Sequence, residues 1–174
     1  MSVQAAGRAA PSAVVHTIAP VWNAESRVLL LGTMPSPRSR TAGFYYGNPQ
    51  NRFWPVLAAL FGVAVPETAE GRREFALSRG IALWDVLASC RIVGASDATI
   101  RDPVPNDIAP LLSAAPIGRV FAVGKTAGAL YDRFLLPRSG IPQQTLPSPS
   151  PANRGRYPLD RLVESWRPVA EALR

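Results

Sequence analysis

A chain of 174 residues, 47% hydrophobic and 18% charged, suits one globular domain with a closed core and excludes a disordered or fibrous protein. One cysteine, Cys90, and one histidine, His16 near the N-terminus, exclude an internal disulfide and a cysteine-held zinc or iron–sulfur centre, and argue against histidine acid–base chemistry. Nineteen Lys and Arg against twelve Asp and Glu leave a net charge of +7, which favours an anionic partner. Lys125 is the only lysine, so arginine supplies the other positive charges, either because its planar fork grips phosphate or through coding bias. No run approaches the roughly 20 apolar residues that cross a bilayer. The alanine-rich start is broken by Arg8, Pro11 and Ser12. The expectation is therefore no membrane span, no signal peptide and a cytoplasmic location, nucleoid-associated in a prokaryote.

Residues 1–13 are small, polar and aperiodic and read as a flexible tail, with a single domain over 14–174. Val28-Leu29-Leu30-Leu31, ending at Gly32, is the short apolar run expected of a strand buried on both faces of a parallel sheet. A helical pattern follows at Phe53, Leu57, Leu60 and Phe61, and a second runs from Glu67 to Arg79, stopped by Gly80. Val120-Phe121-Ala122-Val123 before Gly124 repeats the buried-strand signal, and Thr126–Phe134 repeats the helical one. From Leu159 to Leu173 the apolar residues share one face of an amphipathic helix, opened by Pro158 and interrupted by Pro168, where a kink is expected. Alternating strands and helices make the chain α/β.

Ligands of open parallel sheets bind beyond the carboxyl ends of the strands. Three informative stretches lie there: Gly32–Trp54, Gly124–Thr126 and Pro147–Asn153. The first holds Phe44, Tyr45 and Tyr46 in succession, followed by Asn48, Gln50 and Asn51. Aromatic rings with amides beside them can stack on a planar heterocycle and read its edge, or can simply cover the sheet edge. Asn51 can position a water or hold a base, or can cap the helix beginning at Phe53. Gly124-Lys125-Thr126 ends like a phosphate-binding P-loop, but Arg119 stands where that motif needs its first glycine, so a nucleoside triphosphatase is rejected. Lys125 remains a candidate phosphate contact at a helix start, or a solvated lysine. Pro147-Ser148-Pro149-Ser150-Pro151-Ala152-Asn153 reads as a stiff loop that presents hydroxyls and amides at low entropic cost, with Arg154 and Arg156 directly behind it.

These residues resemble the uracil-DNA glycosylase superfamily, and within it the hypoxanthine-DNA (deoxyinosine) glycosylase branch. The first motif is Gly32-Thr33-Met34-Pro35-Ser36 with Phe44-Tyr45-Tyr46-Gly47-Asn48-Pro49-Gln50-Asn51-Arg52-Phe53-Trp54; the second is Leu146 to Asn153. The resemblance spans roughly Val28 to Trp166. It implies a three-layer α/β/α domain around a four-stranded, mainly parallel sheet, with no cofactor and no metal. Double-stranded DNA carrying a damaged base is the implied partner, with single strands a further option, and the protein is expected to be a monomer.

The resemblance also distributes roles. Other branches carry Asp or Asn where this chain has Met34 and direct water with that side chain; this branch relies on an asparagine matching Asn51, the catalytic candidate here. Thr33, Met34, Pro35, Ser36, Phe44, Tyr45, Tyr46 and Val123 are the base-binding candidates, and Lys125, Ser148, Ser150, Asn153 and Arg154 the DNA-binding ones. Where close relatives read Phe-Asn-Gly-Lys, this chain has Ala122-Val123-Gly124-Lys125, and Val123 cannot hydrogen-bond a base. The implied reaction hydrolyses the N-glycosidic bond of a flipped-out base through an oxocarbenium-like sugar. A coupled lyase step needs an amine nucleophile, and with one lysine a monofunctional enzyme is expected. The rivals are a uracil, xanthine or mismatch glycosylase of the same fold, a DNA-binding module without catalysis, and a nucleoside hydrolase acting on free inosine.

Overall fold

Strands apolar along their whole length need cover on both faces, and they form the interior of a parallel sheet. The computed structural model describes residues 7–174. Strand β1 (Ser12–Val15) is followed by β2 (Val28–Gly32), all five residues of which are buried. The chain then forms α1 (Pro37–Ala42), α2 (Phe53–Phe61), α3 (Ala69–Ser78), β3 (Ile81–Asp85), β4 (Leu87–Val93), β5 (Ser96–Pro105) and α4 (Ala109–Ala114). It continues through β6 (Arg119–Val123), α5 (Lys125–Phe134), α6 (Leu136–Ser139), β7 (Gln143–Leu146), a 3-10 turn (Pro151–Asn153) and α7 (Leu159–Glu171).

The main sheet has the order β3-β2-β6-β7, parallel throughout. Period-two alternation sends Val28 and Leu30 into one core layer and Leu29 and Leu31 into the other. The first layer is covered by α2 and α7, where Trp166 meets Phe53 edge to face at 5.6 Å, and the second holds Ala127 and Tyr131 of α5 with Leu111 of α4. The three-layer α/β/α architecture implied by the resemblance is therefore the one observed. No helix among the described residues is long and apolar enough to cross a membrane.

Local chemistry sets the element boundaries. Gly62, at φ 65°, ends α2 by returning its N–H to Ala58 and Ala59 carbonyls, and the Thr68 hydroxyl caps α3 by accepting from Gly71 N at 3.0 Å. The second helix thus begins at Ala69 rather than Glu67. In α7 the helix runs on through Pro168, with Trp166 and Val169 on its buried side.

A second sheet was not foreseen. Strands β1, β4 and β5 form an antiparallel sheet in the order β1-β4-β5, with Val14 opposite Cys90. Ser12 and Ala13 are strand residues, so the segment read as a tail ends two residues early. Beyond β1 the chain stays on the body: His16 N donates to Ala88 O at 2.8 Å, and Val21 bridges Leu83.

Candidate active site

The strand register brings the carboxyl ends of the main sheet level. Gly32 pairs with Asp85, and Val123 with Leu146. All four residues line one cavity of about 650 Å³. The loop after β2 forms one wall, the proline-rich loop after β7 another, and the turn joining β4 to β5 supplies Gly94 and Ala95, with Asp97 at the start of β5.

Most of the residues singled out in the sequence meet here. Thr33, Met34, Pro35, Ser36, Tyr45, Tyr46, Asn51, Val123, Lys125, Ser148, Ser150 and Asn153 all line the cavity. Two do not. Phe44 stacks on Trp54 at 6.0 Å and belongs to the α2 packing, and Arg154 lies exposed with its guanidinium donating to Gln50 O at 3.0 Å. Arg156 takes the place on the wall that was expected of Arg154.

The two tyrosines are held in different ways. Tyr45 is 2% exposed, and its hydroxyl donates to Ile18 O at 3.2 Å and Ala19 O at 2.9 Å, so its ring is clamped in the core beneath the cavity. Tyr46 adopts φ 53°, a conformation that costs a non-glycine residue energy and persists only where surrounding packing enforces it. That packing is Phe53, stacked on the Tyr46 ring at 3.7 Å and 5°. One face of Tyr46 is thereby spent, which leaves only the other for a ligand. Burial pushes both phenols well above their usual range, so both are neutral hydrogen-bonding groups.

Asn51 stands beside the start of α2 and on the cavity wall at once. Its Oδ1 accepts from Phe53 N, the first N–H of α2, at 2.9 Å, from the position before the N-cap residue Arg52, and the residue also lines the cavity. With the oxygen engaged, the amide nitrogen is the group left to donate to a ligand or water.

The proline-rich loop is braced internally. Ser148 Oγ accepts from Ser150 N at 3.2 Å, Ser150 Oγ accepts from Ala152 N at 3.3 Å, and Asn153 Nδ2 donates to Ser148 O at 2.9 Å. Both hydroxyls act as acceptors within the loop, so each keeps its proton to donate outward, as a phosphate oxygen requires.

Four side chains at or behind the cavity escaped the sequence reading. Arg52 is 8% exposed; it donates from its backbone N to Pro149 O at 3.1 Å, from Nη2 to Ser150 O at 3.3 Å and from Nη1 to Tyr157 O, tying the start of α2 to the proline-rich loop. Burial, with Arg154 nearby, lowers its pKa. Asp97 lines the cavity with Oδ2 accepting from the Thr33 hydroxyl at 3.0 Å; burial raises its pKa, the Thr33 hydrogen bond opposes the rise, and the Asp85 charge adds to it. Asp85 closes the floor. His16, read as part of a remote end, places Nε2 2.7 Å from Asp85 Oδ2, with the two side chains 3% and 5% exposed. A histidine 69 residues away in sequence carries no local signal of such a contact. No group of three or more His, Cys, Asp or Glu among the described residues is arranged to hold a metal.

Comparison with known proteins agrees with this geometry. Residues 19–174 match the model of the uracil DNA glycosylase superfamily. A hypoxanthine DNA glycosylase of Methanosarcina acetivorans is 32% identical over 150 residues, covering 86% of this chain and 93% of that protein. One from Methanosarcina barkeri is 34% identical over 137 residues, covering 78% and 85%. The solution NMR structure of a uracil DNA glycosylase candidate from Methanosarcina acetivorans superposes with a TM-score of 0.75 at 30% identity, over 89% of this chain and 98% of that one. With its parallel sheet, its carboxyl-edge cavity and a family match over most of its length, the chain belongs to the uracil DNA glycosylase superfamily.

Proposed function

We propose that this protein is a monofunctional DNA glycosylase that hydrolyses the N-glycosidic bond of hypoxanthine flipped out of DNA, acting as a monomer in base excision repair. The observation that carries the reading is the single cavity in which a base-sized space, the Asn51 amide and the outward-donating hydroxyls of Ser148 and Ser150 stand together. The names of the two Methanosarcina relatives support hypoxanthine as the base.

In this mechanism Ser148, Ser150, Asn153 and Lys125 hold phosphates flanking the lesion while the base enters the cavity. Hypoxanthine pairs poorly with thymine, which lowers the cost of flipping. Thr33, Met34, Pro35 and Ser36 form a wall against the sugar and base. The Asn51 amide donates to the attacking water or to the departing base as charge develops on it. Asp97, fixed by Thr33, is a carboxylate within the same cavity, and its negative charge favours the oxocarbenium-like sugar. Lys125 is exposed at the head of α5, on the phosphate side, which fits hydrolysis without a lyase step.

The test is single-turnover cleavage of labelled duplexes carrying one deoxyinosine, deoxyuridine or deoxyxanthosine. Release of hypoxanthine, with strand breaks only after alkali, is the expected result. Preferential cleavage at uracil would overturn the base assignment, and salt-dependent binding without release from any substrate would overturn the activity.

A further inference from the structure

The floor of the cavity holds a group of side chains that the mechanism above leaves unused. Asp85 Oδ2 is engaged by His16 Nε2 at 2.7 Å, and no hydrogen bond reaches Oδ1 from the described residues. Tyr46 Oη is buried without a hydrogen-bond partner, the one such side-chain atom among the described residues. Both groups stand close over Gly32: a methyl group placed there would collide with Asp85 Oδ1 and stand 3.0 Å from Tyr46 Oη. A carboxylate oxygen is an acceptor only, and the neutral Tyr46 phenol, not hydrogen-bonded to it, is a donor without an acceptor. Leaving either unsatisfied in a buried site is costly, so the pair is matched to something that supplies a donor and an acceptor side by side.

We propose that Asp85 and Tyr46 read the lactam edge of the flipped base, Asp85 Oδ1 accepting the ring N–H and Tyr46 Oη donating to the adjacent carbonyl, with His16 as the positioning residue that fixes the carboxylate. This rests on the glycosylase reading and deepens it by naming the recognised chemical group. Hydrolytic deamination of adenine replaces a ring-nitrogen acceptor and an exocyclic amine with N–H and C=O. The acceptor-donor order on the floor fits the deaminated ring and opposes the parent one. It also provides the polar contact that Val123 cannot make. Gly32 is required for the approach, and the Phe53 stack that enforces the strained backbone of Tyr46 fixes where its hydroxyl points.

The test compares duplexes bearing deoxyinosine with duplexes bearing purine deoxyriboside, which has neither the N–H nor the carbonyl. Because both rates come from one preparation, their ratio does not depend on how much of a variant is folded. A site built to hydrogen-bond a substrate group rejects an analogue lacking it, and the wild type is expected to favour inosine by about 100-fold or more. Asp85→Asn keeps the shape but offers an N–H toward the ring N–H once its oxygen accepts from His16, and is expected to remove most of that preference. Tyr46→Phe is expected to reduce it by roughly 10-fold. Asp85 is faced by His16, Tyr45, Tyr46 and Asp97. Burial raises its pKa and His16 lowers it, so His16→Ala is expected to move the acid limb of inosine cleavage to higher pH without moving that of purine cleavage. Variants that slow both substrates equally, or leave the ratio unchanged, would overturn the lactam reader while the proposed activity stands. A wild type that cleaves no inosine would overturn the activity itself.

Discussion

At Asn51 and Gly32 the demands of folding and of the proposed chemistry fall on one position. The side-chain oxygen of Asn51 accepts from the first N–H of α2 and its amide nitrogen is left for the cavity, so Asn51→Ala removes two separable things. The lost acceptor is expected to cost about 1 kcal/mol in a denaturant titration. The lost donor is expected to slow single-turnover cleavage by roughly 100-fold or more. A rate loss no larger than the stability loss accounts for would return Asn51 to a purely structural part. At Gly32 the limit is space rather than dihedral angle: Gly32→Ala drives a methyl into Asp85 Oδ1, with an expected cost of about 1–3 kcal/mol in thermal unfolding. Asn51 was legible in the sequence because it precedes an apolar helical pattern in an aromatic-rich loop. His16 and Asp85 were not, because neither sits in a motif and their contact depends on where an N-terminal strand lands.

At the scale of elements, the buried strands β2 and β6 and the helices α2, α5 and α7 could be read directly, since each carries a continuous apolar run or a single apolar face. The antiparallel β1-β4-β5 sheet could not. Strand β5 has no buried residue, and register shifts break the β4 pairing, so no clean alternation marks them. Yet that sheet carries Asp97 to the cavity and seats the segment that delivers His16. The proline-rich loop was recognised as stiff, but its rigidity comes as much from Arg52 and from Trp166 Nε1 donating to Pro147 O at 3.0 Å as from its prolines. Arg52→Met keeps the stem and removes the donors. It is expected to speed amide exchange and proteolysis within 147–157 and to weaken duplex binding, with smaller changes in the β2 and β6 amides. Uniform protection across the loop would show that the prolines alone hold it.

For the molecule as a whole, charge and topology point the same way. The only exposed ion pair within 4 Å among the described residues joins Arg167 to Glu164, which leaves most of the +7 excess free for an anionic partner. Duplex binding is expected to weaken steeply with salt. Lys125→Ala is expected to lower the slope of log affinity against log salt by about 1, and an unchanged slope would place Lys125 away from the phosphates. The central claim is that the carboxyl-edge cavity removes a deaminated purine by hydrolysis. It is tested most directly by single-turnover assays of wild type and Asn51→Ala on a deoxyinosine duplex, with and without alkali. The expected result is hypoxanthine release by the wild type, strand breakage only after alkali, and loss of release in the variant. Strand breakage without alkali, or equal release by both proteins, would contradict it.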